Sequence, residues 1–326
     1  MEHKNIVIST RTILTFILFI ALGWVCYSVF SVVLYLFTSV LIALGLEPMV
    51  EFLIKKKIRR GLAVLIVFSA FISFIFSIFY FALSPMVAQT QNLIFKFPAF
   101  LESLGKYQVF NGISTSFNNS LFSQLQLSSK SILNVTLGAF SGLISLFSIL
   151  VFTIYLLLDF KNVREFILNV LPQKSQSKAS KVIKKVETRL GAWIRGELIL
   201  MTIVGLFTFI GLTIIGMEYT LSLSLIAGFL ELIPTLGPLI SAVPATIVGF
   251  AISPTMGLLV IAVYIIVQQV ENNLFVPKVM QKAVGFNPLV TLIAVLVGGK
   301  LFGFMGMLFA VPVVLILQTL IESFSE

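Results

Sequence analysis

The C-terminal third of the chain is apolar enough to lie in lipid, yet prolines, glycines and carboxylates interrupt it. Its apolar runs carry Glu231 and Glu271 together with prolines from Pro234 to Pro312. A helix that only anchors a protein in a bilayer needs none of these residues. Interrupted helices with ionisable groups at membrane depth are tolerated where they line a cavity or a pathway. The pattern therefore predicts a transport site in this region.

The composition is that of a membrane protein. Of 326 residues, 58% are hydrophobic and 11% are charged, whereas a soluble domain has about 25% charged residues. We predict an all-α integral membrane protein with about eight transmembrane or re-entrant helices and broken helical hairpins in its C-terminal half. The net charge of +9 does not indicate nucleic acid, because the basic residues lie beside apolar runs, as the positive-inside rule expects.

The basic residues predict the topology. The apolar run over 12–46 is far longer than the core of a signal peptide, and we interpret it as two spans, 12–28 and 30–46, joined by a tight turn near Tyr27 to Ser31. Even numbers of crossings should then separate the basic groups, which places both termini in the cytoplasm of a multi-pass plasma-membrane protein. The basic groups are Lys4 and Arg11, the block from Lys55 to Arg60, the residues from Lys161 to Arg195, and Lys278 with Lys282.

Four segments follow from this topology. Residues 1–84 would hold an N-terminal helical hairpin, a basic loop and a third span, and 85–136 would be extracytoplasmic. Residues 137–196 would hold the fourth span and a basic amphipathic connector, and 197–326 a transport core. The connector has an apolar stripe that includes Leu190 and Trp193 beside a row of lysines. It suits the bilayer surface or a partner helix, and the alternative is a solvated connector.

Glu231 begins the stretch Glu-Leu-Ile-Pro-Thr-Leu-Gly-Pro at 231–238, whose prolines and glycine should end one helix and begin another. A carboxylate beside such a break can bind a cation or carry a proton, and the alternative is a solvated carboxylate in a loop. Amide and carboxylate groups at 268–273 form the densest polar cluster, in which Gln268, Glu271 and Asn272 would share a helical face. The candidate pathway residues are Glu231, Pro234, Gly237, Pro238, Gln268, Gln269, Glu271 and Asn272.

Other residues predict moving parts rather than ligands. We expect gating or hinge roles where proline or glycine breaks the helical hairpins of the last third. By contrast, Arg195 to Glu197 at the start of the fifth span is most simply an interfacial anchor. The candidate hinge residues are Pro244, Pro288, Gly298, Gly299, Gly303, Gly306 and Pro312.

Enzyme chemistry is not expected. The single histidine, His3, and the single cysteine, Cys26, offer neither a nucleophile–base pair in the membrane nor a zinc site. The stretch from Gly298 to Lys300 resembles part of a phosphate-binding loop, but Leu301 stands where a magnesium-binding hydroxyl is needed. We therefore predict no catalytic residue, no metal and no cofactor.

Several of these features, in their order and spacing over roughly 190–320, resemble the autoinducer-2 exporter family of permeases. The chain departs from the family pattern at Glu197, where a glutamine is expected. The resemblance implies a multi-pass permease without a cofactor that forms a homo-oligomer, with a pentamer as the expected size. The residues that carry it are those at 231–238, Gln269 to Asn273, Pro277, Asn287-Pro288, Gly298-Gly299, Gly303, Gly306 and Ala310 to Pro312.

Three functions stay open at this point. The first is a secondary transporter that exports a small polar solute by alternating access; the resemblance makes a quorum-sensing furanone one candidate cargo. The second is a sodium or lithium/proton antiporter, which some family members are described as being. The third is a non-transporting scaffold that docks a partner through the basic helix at 178–195. The expected partners are the lipid bilayer and a small polar solute or a monovalent cation or proton, with no nucleic acid.

Overall fold

A computed structural model describes residues 10–77, 80, 129–280 and 288–325, and within these residues all regular structure is helical. The prediction of an all-α membrane fold is confirmed. Only residues 129–136 of the predicted extracytoplasmic segment lie within the described residues, and they belong to a helix. The helices are α1 (Thr10–Lys55), α2 (Arg60–Ser77), α3 (Ser129–Asn169), α4 (Gln173–Ile214), α5 (Thr220–Leu230), α6 (Leu236–Ile252), α7 (Pro254–Val270), a π-helix (Glu271–Phe275), α8 (Val276–Met280) and α9 (Pro288–Ser325).

Six helical stretches of the described residues are long and apolar enough to cross a membrane. The helices α5 and α6 are apolar but shorter, and they lie between the fourth and fifth of these stretches. The protein is therefore a multi-pass membrane protein. The six stretches are Ser28–Lys55, Arg60–Ser77, Ile144–Asn169, Gln173–Ile214, Pro254–Met280 and Leu289–Ser323.

The turn predicted near Tyr27 to Ser31 is wrong, because α1 is one helix of 46 residues. No proline or glycine interrupts 27–31, and in lipid a continuous helix satisfies every backbone hydrogen bond internally. At about 1.5 Å per residue α1 is roughly 70 Å long, more than twice the hydrocarbon thickness of about 30 Å. The two spans expected over 12–46 are therefore a single helix. The cytoplasmic N-terminus was predicted from two crossings in this stretch, so that prediction loses its basis.

The helices α1, α2 and α3 form an N-terminal bundle. Its core joins Ala43 and Val50 of α1 to Val64 of α2 and Leu157 of α3. At one end of the bundle the guanidinium of Arg60 donates a hydrogen bond of 2.6 Å to the Leu157 carbonyl oxygen. The basic block that ends at Arg60 and the basic residues that follow α3's span therefore lie at the same end of the bundle, as the charge pattern predicted.

The apolar stripe of the basic connector faces the protein itself. Leu190 and Trp193 of α4 are buried against Leu41 and Leu44 of α1, and α9 completes this cluster through Leu315. An added Cβ at Gly191 would lie 2.9 Å from the Leu44 carbonyl oxygen, so α1 and α4 are in backbone contact there. The helix that covers the stripe thus belongs to the same chain, and the stripe does not lie on the bilayer surface.

Ion pairs link the basic half of α4 to the end of α9. The Nζ atom of Lys185 and the Nη2 atom of Arg189 each lie 3.0 Å from a carboxylate oxygen of Glu322. Arg189 also donates a hydrogen bond of 3.1 Å to the Thr319 hydroxyl. These contacts hold the C-terminal arm of α9 against the connector.

Because the Glu322 pairs are partly exposed to solvent, we expect Glu322→Gln to lower the melting temperature of the purified protein only at low ionic strength. The difference from the wild-type protein should vanish at about 1 M salt, where charges are screened beyond about 3 Å. The measurement is a thermal unfolding series in detergent at several salt concentrations. Glu165→Gln removes an exposed carboxylate that makes no ion pair in the described residues, and it should have no effect. Equal effects of the two substitutions would contradict the expectation.

The C-terminal half consists of tight helical hairpins, as predicted. In the last of them, Gly303 has φ 61° and ψ −142°, which breaks α9 and reverses the chain. Gly298 and Gly306 then meet, and a Cβ added at Gly306 would lie 1.9 Å from the Gly298 carbonyl oxygen. A similar approach joins Gly249 of α6 to Gly257 of α7. The predicted apolar pair 288–299 and 301–322 is therefore a hairpin whose turn lies at Gly303.

The candidate hinge residues differ in their settings. Pro244 lies inside α6 and Pro312 inside α9, and neither has interrupted its helix. Pro288 is the first residue of α9, where a proline leaves no helical hydrogen bond unmade. Only Gly303 has non-helical torsion angles within α9. A gating or hinge role for all seven candidate residues, Gly303 included, stays a prediction.

Candidate functional site

Three carboxylates from three different elements lie together in the C-terminal core. Glu197 comes from α4, Glu231 directly follows α5, and Glu271 is the first residue of the π-helix. Their exposed fractions are 0%, 1% and 4%. Glu271 lies close enough to both other carboxyl groups for charges on them to interact, and its side chain lies next to that of Glu231. We call this set the carboxylate cluster.

The pairing of α4 with α5 places the first two members. These helices run antiparallel, and Gly228 of α5 packs on the backbone of α4, where an added Cβ would lie 2.7 Å from the Met201 carbonyl oxygen. Glu231 lies one helical turn after Gly228, and Glu197 lies one helical turn before Met201 on α4. Because antiparallel helices keep this register, the close glycine contact brings the two carboxylates to the same level.

Hydrogen bonds between backbone groups of the same segment stabilise the turn that follows α5. Thr235 has φ +68°, and the amide of Gly237 donates a hydrogen bond of 2.8 Å to the Ile233 carbonyl oxygen. A Cβ at Gly237 would lie 1.9 Å from the Leu230 carbonyl oxygen, so only glycine permits this turn. The internal hydrogen bonds make such a break tolerable at membrane depth. The predicted helix interruption at 231–238 is therefore confirmed.

The α9 hairpin covers this break. Ile233 is buried against Val295 from one arm of the hairpin and Ala310 from the other. Leu236 and Met307 pack against the same cluster. Movement of the hairpin would therefore change the cover over the segment that carries Glu231.

The π-helix begins at Glu271, and of the polar residues around Glu271 some contact it and others point to the surface. Gln268 donates a hydrogen bond of 3.1 Å to an oxygen of Glu271, as the predicted pairing requires. Asn272 and Gln269, in contrast, are exposed. A π-helix has more residues per turn than an α-helix, so the face expected to join Gln268, Glu271 and Asn272 does not continue past Glu271. Gln268 joins the cluster, and Gln269 and Asn272 do not.

Charge is not balanced within the cluster. In the part of the chain that the structure describes, both oxygens of Glu197 and one oxygen of Glu231 are buried without a hydrogen-bond partner, and no basic side chain pairs with the three carboxylates. A carboxylate accepts hydrogen bonds and donates none, so Glu231 and Glu271 can bond to each other only when one of them carries a proton. Within the same residues, no group of three or more His, Cys, Asp or Glu side chains is arranged to hold a metal ion.

Glu197 is the site residue that the sequence analysis did not select. The sequence interpretation as an interfacial anchor, shared with Arg195, is wrong for Glu197, which is 0% exposed, and stays a prediction for Arg195. Arg195 donates a hydrogen bond of 3.2 Å to the Leu44 carbonyl oxygen of α1, while Glu197 points into the core. Residues two positions apart in a helix, such as Arg195 and Glu197, point in directions about 200° apart. Their side chains therefore face opposite sides of α4. Glycine at Gly196, which packs against Met280, was the available signal of a close helix contact there.

Buried carboxylates beside a broken membrane helix are typical of transport proteins. Residues 13–326 match the family model described as "AI-2E family transporter". The chain belongs to the AI-2E transporter family. This membership confirms the resemblance seen in the sequence and extends it over nearly the whole chain.

Relatives of this AI-2E family chain include "Putative transport protein YueF" of Bacillus subtilis (strain 168), which is 30% identical over 287 residues, or 82% of this chain and 77% of the relative. "Putative transport protein YrrI" of the same organism is 27% identical over 307 residues, or 89% of this chain and 85% of the relative. "Putative permease PerM" of Escherichia coli (strain K12) is 26% identical over 223 residues, or 66% and 62%. A membrane transporter is the function that this AI-2E family membership supports.

Proposed function

We propose that the chain is a secondary transporter that exports a small polar solute by alternating access, with protonation of the Glu231–Glu271 pair coupled to its cycle. The observation that carries the proposal is the burial of three carboxylates without a basic partner in the described residues. Burying an ionisable group within a membrane protein costs free energy. Such groups occur there mainly where protons, ions or substrates pass. A scaffold would have no use for them.

Protonation offers a physical link between the cluster and the hairpins. When the pair loses its proton, two buried negative charges repel each other at close range, and the packed arrangement becomes less favourable. An arrangement that admits water to the pair is then favoured, and the α9 hairpin over Ile233 is the element whose movement would admit it. Binding and release of one proton can in this way bias two states of the transporter.

A sodium or lithium/proton antiporter is the second candidate. The unpartnered oxygens of Glu197 and Glu231 favour it, because carboxylate oxygens that lack hydrogen bonds can bind a small cation in place of a proton. The scaffold alternative has weaker support than the sequence suggested, since the apolar stripe of its docking helix is covered by α1 and α9. Autoinducer-2 is one candidate cargo for the solute exporter and is proposed from the family's name alone.

The proposal is tested in vesicles that contain the purified protein and a pH-sensitive dye, with the membrane potential clamped. For a proton-linked exporter, we expect an imposed pH gradient to drive saturable uptake of labelled autoinducer-2 into inside-out vesicles, with a matching change of internal pH. For the antiporter, a sodium pulse should change the internal pH without any organic solute. Protein-free vesicles are the control. No response to the sodium pulse beyond that of protein-free vesicles would contradict the antiporter, and no response to labelled autoinducer-2 would contradict this solute as the cargo.

A further inference from the structure

A polar cleft that shares no residue with the carboxylate cluster lies at the end of the N-terminal bundle, where α1 ends and α2 begins. Its volume is about 300 Å³. It forms where α3 bends, since Asp159 has φ −118° and ψ 22° and separates the apolar part of α3 from the charged part. The end of α1 and the start of α2 close its other side. The lining residues are Ile54, Arg60, Leu158, Asp159, Lys161 and Asn162.

The position of Arg60 in this cleft is fixed. Its Nε donates to the Leu157 and Leu158 carbonyl oxygens at 3.0 and 3.2 Å, and its Nη2 bonds to Glu47 at 3.0 Å. The two carbonyl groups directly precede the bend at Asp159. The Nη1 atom of Arg60 makes no hydrogen bond within the described residues. A preorganised guanidinium with a remaining donor is well suited to an anionic oxygen.

Positive charge exceeds negative charge around the cleft. Lys161 is exposed, and it makes no ion pair within the residues that the structure describes. Arg60 forms an ion pair with Glu47, and Asp159, which lines the cleft, accepts a hydrogen bond from Asn162. These two carboxylates equal Arg60 and Lys161 in number, so the excess of positive charge comes from the residues next to them. The exposed turn between α1 and α2 adds further cations next to Arg60, namely Lys55, Lys56, Lys57 and Arg59.

The cleft opens toward an apolar surface rather than only toward water. Leu158 lines it and is 42% exposed, and Tyr155, one turn earlier on α3, is 67% exposed. Both belong to the stretch of α3 that is apolar enough to cross the membrane. An occupant with a charged end at Lys161 and apolar chains along Leu158 and Tyr155 would match both parts of this surface. A soluble phosphate would match only the first part.

We propose that this cleft binds the headgroup of an anionic phospholipid, with its phosphate at Arg60 and Lys161 and its acyl chains along α3. The site is independent of the transport proposal, because none of its residues belongs to the carboxylate cluster. Bound lipid would bridge the ends of α1, α2 and α3 at the bend.

The test measures binding of phosphatidylglycerol to the full-length protein in detergent by native mass spectrometry, with phosphatidylcholine as the uncharged comparison. Loss of one basic contact near an anionic headgroup should weaken binding about five-fold, so Lys161→Gln should raise the dissociation constant by that factor. Lys178→Gln, an exposed lysine of α4 outside the cleft, is the matched control and should leave it unchanged. Asp159→Asn should tighten binding, because it removes a negative charge from the lining.

Opposite effects of Lys161→Gln and Asp159→Asn, with no change for Lys178→Gln, support the site, since a loss of folding cannot produce both signs. Equal weakening by Lys161→Gln and Lys178→Gln would overturn it and indicate general attraction of anionic lipid to basic residues. Equal binding of phosphatidylcholine and phosphatidylglycerol would also overturn it. Displacement of phosphatidylglycerol by millimolar inorganic phosphate would assign the cleft to a soluble anion and overturn the lipid proposal.

Discussion

Glu271→Gln is expected to reduce proton-linked transport by about a hundredfold or more, the usual contribution of a positioned proton-transfer group. Glutamine is nearly isosteric and can still bond to Gln268, so the packing around position 271 should survive. The glutamine side chain cannot bind and release a proton. The pair formed with Glu231 could therefore no longer alternate between a protonated and a charged state through position 271. Glu271→Asp keeps the acid and should retain a measurable part of the rate.

The measurement is the initial rate of the internal pH signal for whichever probe is active with the wild-type protein. Asn272→Ala is the matched control, because Asn272 is the next residue along the chain but is exposed and outside the cluster. We expect this variant to keep nearly the wild-type rate. Full activity of Glu271→Gln, or an equal loss in Asn272→Ala, would remove the role proposed for the cluster. The melting temperatures of the variants show whether each remains folded.

Gly306→Ala is expected to destabilise the protein by about 3 kcal/mol or more, the upper end of what overpacking costs. The new Cβ would lie 1.9 Å from the Gly298 carbonyl oxygen, and because that atom belongs to the backbone, no side chain can rotate to make room. The two arms of the α9 hairpin would have to separate. The contact of both arms with Ile233 would then weaken as well.

Thermal unfolding in detergent should show this as a fall in melting temperature of about 5 °C or more. Gly142→Ala is the control, since a Cβ there would meet nothing within 4 Å. That substitution should stabilise α3 slightly, because alanine favours helices over glycine by about 1 kcal/mol. If Gly306→Ala melted at the same temperature as Gly142→Ala, the close approach of the hairpin arms would be wrong.

The fold was predictable where lipid leaves few choices. Helical spans and their breaks at 231–238 and near Gly303 follow from apolar runs, proline and glycine, because backbone groups in a bilayer must be satisfied locally. The prediction failed at α1, where length alone suggested a turn near Tyr27 to Ser31. A helix longer than the bilayer is thick can project beyond it, so length does not require a turn.

Within the site, Glu231 and Glu271 could be selected from the sequence, because each is a carboxylate next to an interrupted apolar run. Glu197 could not be selected in this way, because a carboxylate near the start of a span is explained simply by its position at the membrane interface. Gln269 and Asn272 were selected by their composition and helical spacing. The π-helix at Glu271 changes that spacing, and no feature of the residues at 268–273 signals it.

The amino-acid sequence by itself determined that the chain is an all-helical membrane protein of the AI-2E transporter family and where its helices break. Lipid solvation acts on each residue locally, so these properties can be derived from runs and interruptions. Only the tertiary structure decided which polar groups meet. The register of α4 against α5 at Gly228 joins Glu197 to Glu231, and the π-helix turns Glu271 toward them while it leaves Asn272 outside. Such contacts depend on helix packing between residues that are distant in the chain, which local patterns do not encode.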